Sequence, residues 1–255
     1  MHKATKNPIF RGDLSDLLIF SKRIAIFTGA GISTESGIPD FRSPGGIWTK
    51  MAPIQYQDFL DSEEMRYESW RRKFEIDKTI KQAKPNEGHY AVASLVNGGK
   101  ANAVITQNID NLHQESGINH DQVIELHGNS TYAKCIDCGA REELEIIKQT
   151  FLGKDELPIC KFCSGHIKTA TVSFGQSMPE EPMQRAYDEA LACDLFLVIG
   201  SSLVVYPAAD IPMIAKSNGA KLVILNREPT PLDKCADLIV TGSIGEILPL
   251  AIKSN

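Results

Sequence analysis

Short apolar segments that end in glycine or polar residues constrain the fold of this chain more than any other feature. They lie at 24–27, 103–105, 123–126, 171–174, 195–199, 221–225 and 238–240. Apolar and polar residues do not alternate in them, and helix-forming stretches separate them. This pattern is typical of parallel strands buried on both faces. We therefore predict an α/β fold with a doubly wound, parallel-sheet, Rossmann-like domain, and helices at 62–82, 86–96, 180–192 and 208–217.

Composition excludes several other classes of protein. The chain has 255 residues, of which 42% are hydrophobic and 23% charged, as in folded domains. No apolar run approaches the roughly 18 residues of a transmembrane helix, and the opening residues 1–8 lack the apolar centre of a signal peptide. A net charge of -5 gives no electrostatic basis for nucleic-acid or membrane binding. We expect a cytoplasmic protein without either partner.

Two segments without strand signals interrupt the predicted sheet. We expect residues 1–32, 84–128 and 170–255 to form the Rossmann-like domain, with a helical insertion at 33–83 and a smaller module at 129–169. The smaller module has about 40 residues, too few for an independent hydrophobic core. Something besides its own apolar residues must therefore hold it together.

Four of the six cysteines predict what holds the smaller module. They are Cys135, Cys138, Cys160 and Cys163, two C-x-x-C pairs separated by 21 residues. Paired thiolates bind one tetrahedral ion, and four of them leave no open position for catalysis. We predict one structural Zn²⁺ per chain; an iron–sulfur cluster and four incidental thiols are the alternatives. Cys193 and Cys235 lie beside predicted strands, and we expect both in the core.

A glycine-rich turn follows the first predicted strand, where nucleotide-binding folds approach a pyrophosphate. Its glycines are Gly29, Gly31 and Gly37, whereas the G-x-G-x-x-G pattern would put the third at residue 34. The acidic residue usual about 20 positions further on would fall in or just beyond the loop 40–46. The turn therefore predicts either a dinucleotide bound unlike that of ordinary dehydrogenases or a plain strand-to-helix connection.

Polar residues also follow three other predicted strands, at 107–110, at His127 and at 200–202. Ligands of open parallel sheets bind outside the carboxyl ends of the strands, so we expect these residues to share one site. A histidine there can act as a general base near neutral pH. A hydrogen-bonded structural histidine is the alternative, and the other five histidines have no comparable context.

In this order along the chain, the motifs resemble the sirtuin family of NAD-dependent protein deacylases, above all its compact prokaryotic members. The matching stretches are 29–33 (GAGIS), 37–42 (GIPDFR), 106–110 (TQNID), 125–128 (ELHG), the paired cysteines, 200–203 (GSSL) and 225–226 (LN). The resemblance implies transfer of an acyl group from lysine to ADP-ribose, with release of nicotinamide. It implies acyl-lysine proteins or peptides as partners, and NAD and structural zinc as cofactors.

The resemblance also implies roles for individual residues. His127 would act as general base on a ribose hydroxyl, and Asn108 would position the ribose and its water. The implied NAD contacts are Gly29, Ala30, Gly31, Ser33, Thr34, Phe41, Arg42, Gln107, Ile109, Asp110, Gly200, Ser201, Ser202, Asn226 and Ile244. In the family, the segment equivalent to 33–83 contains a mobile cofactor loop and the helical insertion.

The family holds its peptide as an added strand between two segments, which here are 172–175 and 203–205. The implied substrate contacts are Val172, Phe174, Gly175, Leu203 and Val205. This chain departs from the family pattern at Gln176, where glutamate is usual, and at Lys168-Thr169, where the family has Arg-Pro. We expect the missing carboxylate to relax any preference for basic residues in the peptide.

The acyl group is expected to be uncharged. Family members that remove succinyl or malonyl groups carry Tyr-x-x-Arg in the helical insertion, whereas Tyr67 and Arg71 are four residues apart here. We expect Glu68 and Trp70 near the far end of the acyl channel, where Glu68 would repel an acyl carboxylate.

Two other functions fit part of the pattern. Mono-ADP-ribosyl transfer or plain NAD hydrolysis needs a base less, so the presence of both Asn108 and His127 favours deacylation. A non-catalytic NAD-sensing or zinc-organised binding module would bind NAD but release no nicotinamide. The motifs carry no information on the oligomeric state.

Overall fold

A six-stranded parallel sheet forms the centre of the protein. The computed structural model describes residues 11–43 and 45–253. The strands of this part of the chain are β1 (Ile24–Thr28), β2 (Ala101–Thr106), β3 (Val123–Glu125), β4 (Gly128–Cys135), β5 (Arg141–Glu143), β6 (Ile167–Thr171), β7 (Leu195–Ile199), β8 (Lys221–Leu225) and β9 (Leu238–Val240). Six of them form the central sheet in the order β3-β2-β1-β7-β8-β9, with every neighbouring pair parallel. The predicted α/β class is confirmed.

Helices cover both faces of this sheet. Those of the described residues are α1 (Arg11–Phe20), α2 (Ile47–Lys50), α3 (Tyr56–Asp61), α4 (Glu63–Ile80), α5 (Glu87–Asn97), α6 (Leu112–Glu115), α7 (Leu144–Lys154), α8 (Glu180–Ala192), α9 (Ile211–Ser217) and α10 (Ile244–Lys253). Helices α1, α5 and α10 contribute to the core on one face, and α8 and α9 to the core on the other. No helix within 11–43 or 45–253 has both the length and the apolar character needed to cross a bilayer.

The absence of alternation in the apolar runs follows from these two cores. Along β1, Ile24 and Ile26 belong to one core, and Ala25 and Phe27 to the other. Because successive strand residues point to opposite faces, a strand covered on both faces is apolar throughout. The same holds for β7, whose five residues are all buried.

The strand order reverses between β1 and β7, and the loops that follow these two strands touch. The Gly29 N–H donates to the Ile199 carbonyl (3.0 Å), and the Gly31 N–H donates to the Gly200 carbonyl (2.8 Å). A Cβ atom on Gly31 would lie 2.7 Å from the Gly200 Cα. These glycines are therefore required by the close approach of two backbones at the switch point, where open sheets bind their ligands.

A second sheet is antiparallel, with the order β5-β4-β6. The sequence interpretation placed 171–174 in the parallel sheet, and this is wrong. Strand β6 ends at Thr171 and pairs with β4, and the Val172 N–H then donates to the His127 carbonyl (2.8 Å). The chain returns from the cysteine segment beside β4, so its backbone bonds are made there rather than in the central sheet.

A third hydrophobic core joins the helical insertion to the cysteine segment. Helix α4 contributes Trp70 and Phe74, and α7 contributes Ile147 and Phe151. The Trp70 and Phe74 rings stack at 5.7 Å, and Phe74 lies 5.8 Å from Phe151. The cysteines Cys135 and Cys160 belong to the same cluster. Two segments that are each small and distant in sequence therefore share one core.

Candidate active site

A cavity of about 560 Å³ opens at the carboxyl ends of β1, β2 and β7, within the size range of small-molecule sites. It brings together most of the residues singled out from the sequence. They are Gly29, Ala30, Gly31, Thr34, Phe41, Arg42, Gln107, Asn108, Ile109, His127, Val172, Phe174, Gly175, Gly200, Ser201, Ser202, Val205, Asn226 and Ile244.

Three of the singled-out residues lie behind the cavity wall. Ser33, Asp110 and Leu203 are buried, with 1%, 6% and 1% of their surface exposed, and do not line the cavity. Ser33 and Asp110 are bonded to each other, since the Ser33 hydroxyl donates to Asp110 Oδ2 (2.7 Å). Any influence of this pair on a bound molecule passes through the residues in front of it.

His127 follows β3 and lies in the cavity wall with its tautomer fixed. Its Nδ1 is 3.0 Å from the Gln107 carbonyl oxygen. Because a carbonyl oxygen only accepts, Nδ1 carries the proton and Nε2 keeps a free electron pair. Burial lowers the pKa of His127; the Gln107 bond opposes this change and the Arg42 charge adds to it. The imidazole is therefore neutral at physiological pH and able to accept a proton.

Asn108 follows β2, and its amide orientation is also determined by its partners. The amide nitrogen donates to the Gly29 carbonyl (3.1 Å) and to the Ser33 hydroxyl (3.2 Å). Since the Gly29 carbonyl can only accept, the nitrogen must face it, which leaves Oδ1 as the acceptor available to the cavity. Asn108 is thus held as a preorganised hydrogen-bond acceptor next to a neutral histidine.

Asp110 completes the polar cluster behind Asn108. Its second oxygen accepts the Leu112 N–H (3.0 Å). Burial raises the pKa of Asp110, and the hydrogen bonds from Ser33 and Leu112 oppose that rise. Ser33 accepts from Asn108 and donates to Asp110, so one hydroxyl connects the two side chains.

Two buried histidines that the sequence interpretation gave no role lie behind this cluster. His89 and His113 have ring centroids 5.2 Å apart, and His113 Nε2 is 2.8 Å from the Thr28 hydroxyl. Burial lowers the pKa of His89 to about 4 and that of His113 well below its usual value. Both are neutral side chains of the interior, and only their depth in the fold distinguishes them from surface histidines.

Aromatic side chains cover one side of the cavity. Trp48 lies 5.2 Å from Phe41 and 5.2 Å from Phe174, and the Arg42 guanidinium is 4.2 Å from the Trp48 ring centre. Trp48 thereby joins Phe41 and Arg42 to Phe174 of the segment 172–175. Sequence reasoning missed Trp48, although a tryptophan shortly after Pro-Gly-Gly in a chain with two tryptophans was an available signal.

Other lining residues were not singled out individually, although Ser173 lies within the segment 172–175 that was expected to hold the peptide. They are Glu35, Asp40, Ser43, Pro53, Ile54, Thr171, Ser173, Gln176, Met178, Tyr206, Pro207, Arg227, Glu228 and Gly242. Most belong to loops that no apolar periodicity marks. Gln176, noted above only as a departure from the family pattern, accepts the Ser173 N–H through Oε1 (3.1 Å). Its amide therefore shapes the segment 173–176 without a charge.

The expected position of Glu68 and Trp70 is wrong. Trp70 is buried in the third core, and Glu68 pairs with Arg71 and Arg72 on the surface of α4. None of these residues lines the cavity. The helical register turns the tryptophan toward α7, because burying its ring there excludes more apolar surface than a solvated channel could.

The paired cysteines converge on one point. Their four sulfur atoms lie within 4.8 Å of one another, with Cys135 and Cys163 at 3.4 Å and Cys138 and Cys160 at 3.6 Å. Zn–S bonds of about 2.3 Å place tetrahedral sulfurs about 3.8 Å apart, so this set fits a zinc ion.

The two single cysteines differ. Cys193 is buried in the core beneath α8, as expected. Cys235 is exposed, so its expected core position is wrong. It lies in a short 3-10 helix before β9, outside the sheet.

Comparison with known proteins gives consistent matches. A model of the Sir2 family matches residues 29–207. The chain is 58% identical over 235 residues to the NAD-dependent protein deacetylase 1 of Bradyrhizobium diazoefficiens, covering 92% of each protein. A Sir2–p53 peptide–NAD⁺ structure is 37% identical with a TM-score of 0.85 and coverage of 95% of this chain and 97% of that one. A Sir2Tm structure with a propionylated peptide is 36% identical, with a TM-score of 0.85 and coverage of 96% and 98%.

Proposed function

This chain belongs to the Sir2 family, and from that premise we propose that it is an NAD-dependent protein-lysine deacylase. It transfers the acyl group of a modified lysine to ADP-ribose and releases nicotinamide. The single observation that carries this function is the neutral, tautomer-fixed imidazole of His127 in the same cavity as the oriented amide of Asn108. NAD-dependent relatives and the peptide-bound and NAD⁺-bound structures support the same reaction.

The position of the cavity in the fold is suited to binding NAD. It lies at the switch point of the parallel sheet, where Gly29 and Gly31 let the first loop approach the second. Bound NAD supplies the ribose that accepts the acyl group and the nicotinamide that leaves. We assign Gln107 and Ile109, which follow β2, to the nicotinamide side, and Ser201, Asn226 and Ile244 to the adenosine side.

His127 serves as the general base. Its Nε2 atom is unprotonated and can accept a proton, because the Gln107 bond keeps the imidazole proton on Nδ1. A pKa lowered by burial keeps it unprotonated at neutral pH. His127 would therefore take the proton of a ribose hydroxyl on Nε2, so that the hydroxyl oxygen can form its bond to the acyl carbon as the lysine amine leaves.

Asn108 positions the reacting ribose. Its nitrogen is used by Gly29 and Ser33, so its oxygen presents an electron pair to the cavity. An oriented dipole favours positive charge that develops on a sugar ring, and it costs no reorganisation during the reaction. Ser33 and Asp110 act behind it by holding the amide in this orientation.

The substrate peptide adds to the edge formed by 172–175, opposite 203–205. Val172, Phe174, Gly175 and Val205 line the same cavity as His127, which brings an acyl-lysine within reach of the ribose. Main-chain pairing gives affinity with few demands on sequence. The uncharged Gln176 amide leaves this edge without the carboxylate usual in the family, so we assign it a weak dependence on basic residues in the peptide.

Each segment of the chain has a part in the proposed function. We assign 1–32, 84–128 and 170–255 to an NAD-binding domain, 33–83 to the cofactor loop and helical insertion, and 129–169 to a zinc-binding module. The cysteines of the last segment hold one structural Zn²⁺, which closes a module too small to be stable alone. The paired cysteines, interpreted as metal ligands, and the use of NAD support our proposal that the protein acts on protein substrates in the cytoplasm.

One assay separates this function from its rivals. Purified protein is incubated with NAD and an acetyl-lysine peptide, and acyl-ADP-ribose, deacylated peptide and nicotinamide are quantified. Deacylation requires equal amounts of all three, dependent on the peptide. ADP-ribose attached to protein, or free ADP-ribose without peptide dependence, would instead identify a transferase or hydrolase. NAD binding without nicotinamide release would identify a binding module.

A further inference from the structure

A network of partly buried side chains, with Asn129 fully buried, joins the segment that carries Asn108 to the segment that carries His127. Its centre is Glu125, the last residue of β3 and two positions before His127. Glu125 Oε1 accepts the amide of Gln114 (2.7 Å) and the amide of Asn129 (2.6 Å). Both bonds are short, and both donors come from segments beyond the end of the parallel sheet.

The orientation of Asn129 is fixed by its other contacts. Asn129 Oδ1 accepts from the Thr131 N–H (2.8 Å) and from the Thr131 hydroxyl (2.7 Å). A backbone N–H can only donate, so the oxygen of the amide must face Thr131 and its nitrogen must face Glu125. The same nitrogen also donates to Asn111 Oδ1 (3.1 Å). Asn129 is buried, so these bonds are not exchanged for water.

The network joins the two segments beyond the point where strand pairing in the sheet ends. Pairing between β2 and β3 ends at Thr106 and Glu125, and the catalytic segments begin one or two residues later. Beyond that point, two backbone bonds join the segments, from Leu126 N–H to the Thr106 carbonyl (3.0 Å) and from Ser130 N–H to the Ile109 carbonyl (2.8 Å). Side chains add to this connection: the His127 imidazole bonds the Gln107 carbonyl (3.0 Å), and the Glu125 network joins the two segments further from the cavity.

A carboxylate suits the central position because, in its ionised form, it accepts hydrogen bonds and does not donate them. One of its oxygens binds two amide groups, and neither pairing can be inverted by a flip of the acceptor. Burial raises the pKa of Glu125, while the two amide donors oppose the rise. Replacing Glu125 with alanine would leave both amides without this acceptor and would remove the side-chain link that it makes between residues 107–114 and 126–131.

We propose that Glu125 is a positioning residue that sets the distance between His127 and the ribose held by Asn108, and so supports the base-dependent half of the reaction. This inference rests on the proposed deacylase function. Glu125 does not line the cavity, so its influence is exerted through the two segments that it joins. The first half of the reaction, in which nicotinamide is released and can rebind, precedes the action of His127 and depends less on this spacing.

The test compares Glu125→Ala, Glu125→Gln and Glu115→Ala. Glu115 is the matched control, an exposed carboxylate in the same region whose side chain accepts a 3.5 Å hydrogen bond from the Asn111 amide. Each variant is assayed for deacylation at saturating substrates and for exchange of labelled nicotinamide into NAD in the presence of acyl peptide. Melting temperature and zinc content are measured on the same preparations.

Glu125→Ala is expected to lower the kcat of deacylation about tenfold or more while nicotinamide exchange stays within about threefold. Glu125→Gln is expected to recover deacylation to within about threefold, because its amide oxygen can accept from both donors. Glu115→Ala should match the wild type in both assays. Gln114→Ala removes one donor and leaves Glu125 in place. It should also lower the ratio of deacylation to nicotinamide exchange, and it replaces Glu125→Ala if that variant does not fold.

Two results would overturn the inference. One is deacylation by Glu125→Ala, or by Gln114→Ala where that variant replaces it, within about twofold of the Glu115→Ala control. The other is an equal loss of deacylation and exchange, which would make Glu125 a general structural residue. A wild-type enzyme that forms no acyl-ADP-ribose would instead refute the proposed function. That result comes from the wild-type protein and not from the variants, so the two failures can be told apart.

Discussion

Replacing Trp70 with alanine should destabilise the cysteine module, although Trp70 lies about 65 residues away from the first of the paired cysteines in the sequence. The indole is 1% exposed and stacks on Phe74, which in turn contacts Phe151 of α7. Burial of roughly 200 Å² of aromatic surface at about 25 cal/mol per Å² is worth about 5 kcal/mol. Measured losses for buried Trp or Phe to alanine are about 3–5 kcal/mol. We expect a loss in this range.

The Trp70→Ala variant should retain zinc less well and should also unfold more easily than the wild type. Cys135 and Cys160 lie in the same hydrophobic cluster as Trp70, so loosening the cluster frees the backbone that positions two of the four ligands. The assay measures the rate of zinc transfer to a coloured chelator, and the urea midpoint of the zinc-loaded protein. Both should change together, since metal binding and folding of such modules are coupled.

Trp48→Ala is the matched control, because it removes the same side chain from the cavity wall rather than from the third core. It should lower activity but leave zinc release near the wild-type rate. If Trp70→Ala released zinc no faster than Trp48→Ala and unfolded at the wild-type urea concentration, the shared core would not be what supports the module. The argument from burial would then be refuted.

Four further outcomes are expected. His127→Ala should abolish peptide deacylation while NAD still binds, as measured by calorimetry; wild-type turnover at saturating substrate would exclude the assigned base. Because the folded pKa of His127 is lowered and the base must be neutral, the acidic limb of kcat/KM against pH should lie below 6.5, and a limb above 7 would contradict the direction of the shift. Cys135→Ala should lose zinc and soluble yield together, whereas iron in the wild-type protein, or activity without metal, would refute the zinc assignment. Peptides with acetyl or longer neutral acyl groups should exceed succinyl peptides in kcat/KM by a factor of at least about 100, because a buried carboxylate without a partner costs several kcal/mol. Equal rates would contradict this prediction and would indicate that an arginine faces the acyl group.

The positions of the buried strands were predictable from the sequence. The segments 195–199, 221–225 and 238–240 coincide with β7, β8 and β9. A strand buried on both faces, such as β7, is apolar at every residue and can be recognised without knowledge of its neighbours, whereas β9 at the sheet edge is only partly buried. The cysteine pairs were predictable for a similar reason, since ligand spacing of a tetrahedral ion is a local property of the chain.

The part of the site that lies at strand ends was also accessible from the sequence. Gln107, Asn108, His127 and Gly200 all follow apolar runs, and parallel strands bring their carboxyl ends to one edge. What the sequence did not separate is the wall of the cavity from the layer behind it. Ser33 belongs to a cofactor-loop motif, yet it is buried behind Asn108, because hydrogen-bond direction depends on partners from distant segments.

Pairing between distant segments was decided only by the tertiary structure. Residues 171–174 look like a further parallel strand, but β6 pairs with β4 because the chain returns beside it. Trp70 looks like a candidate for the acyl channel, but it fills the core shared by α4 and α7. The periodicity of apolar residues indicates that a residue is buried, but it does not indicate which segment it packs against. The reason is that the free energy of burial depends on the area removed from water and hardly on which segment covers it.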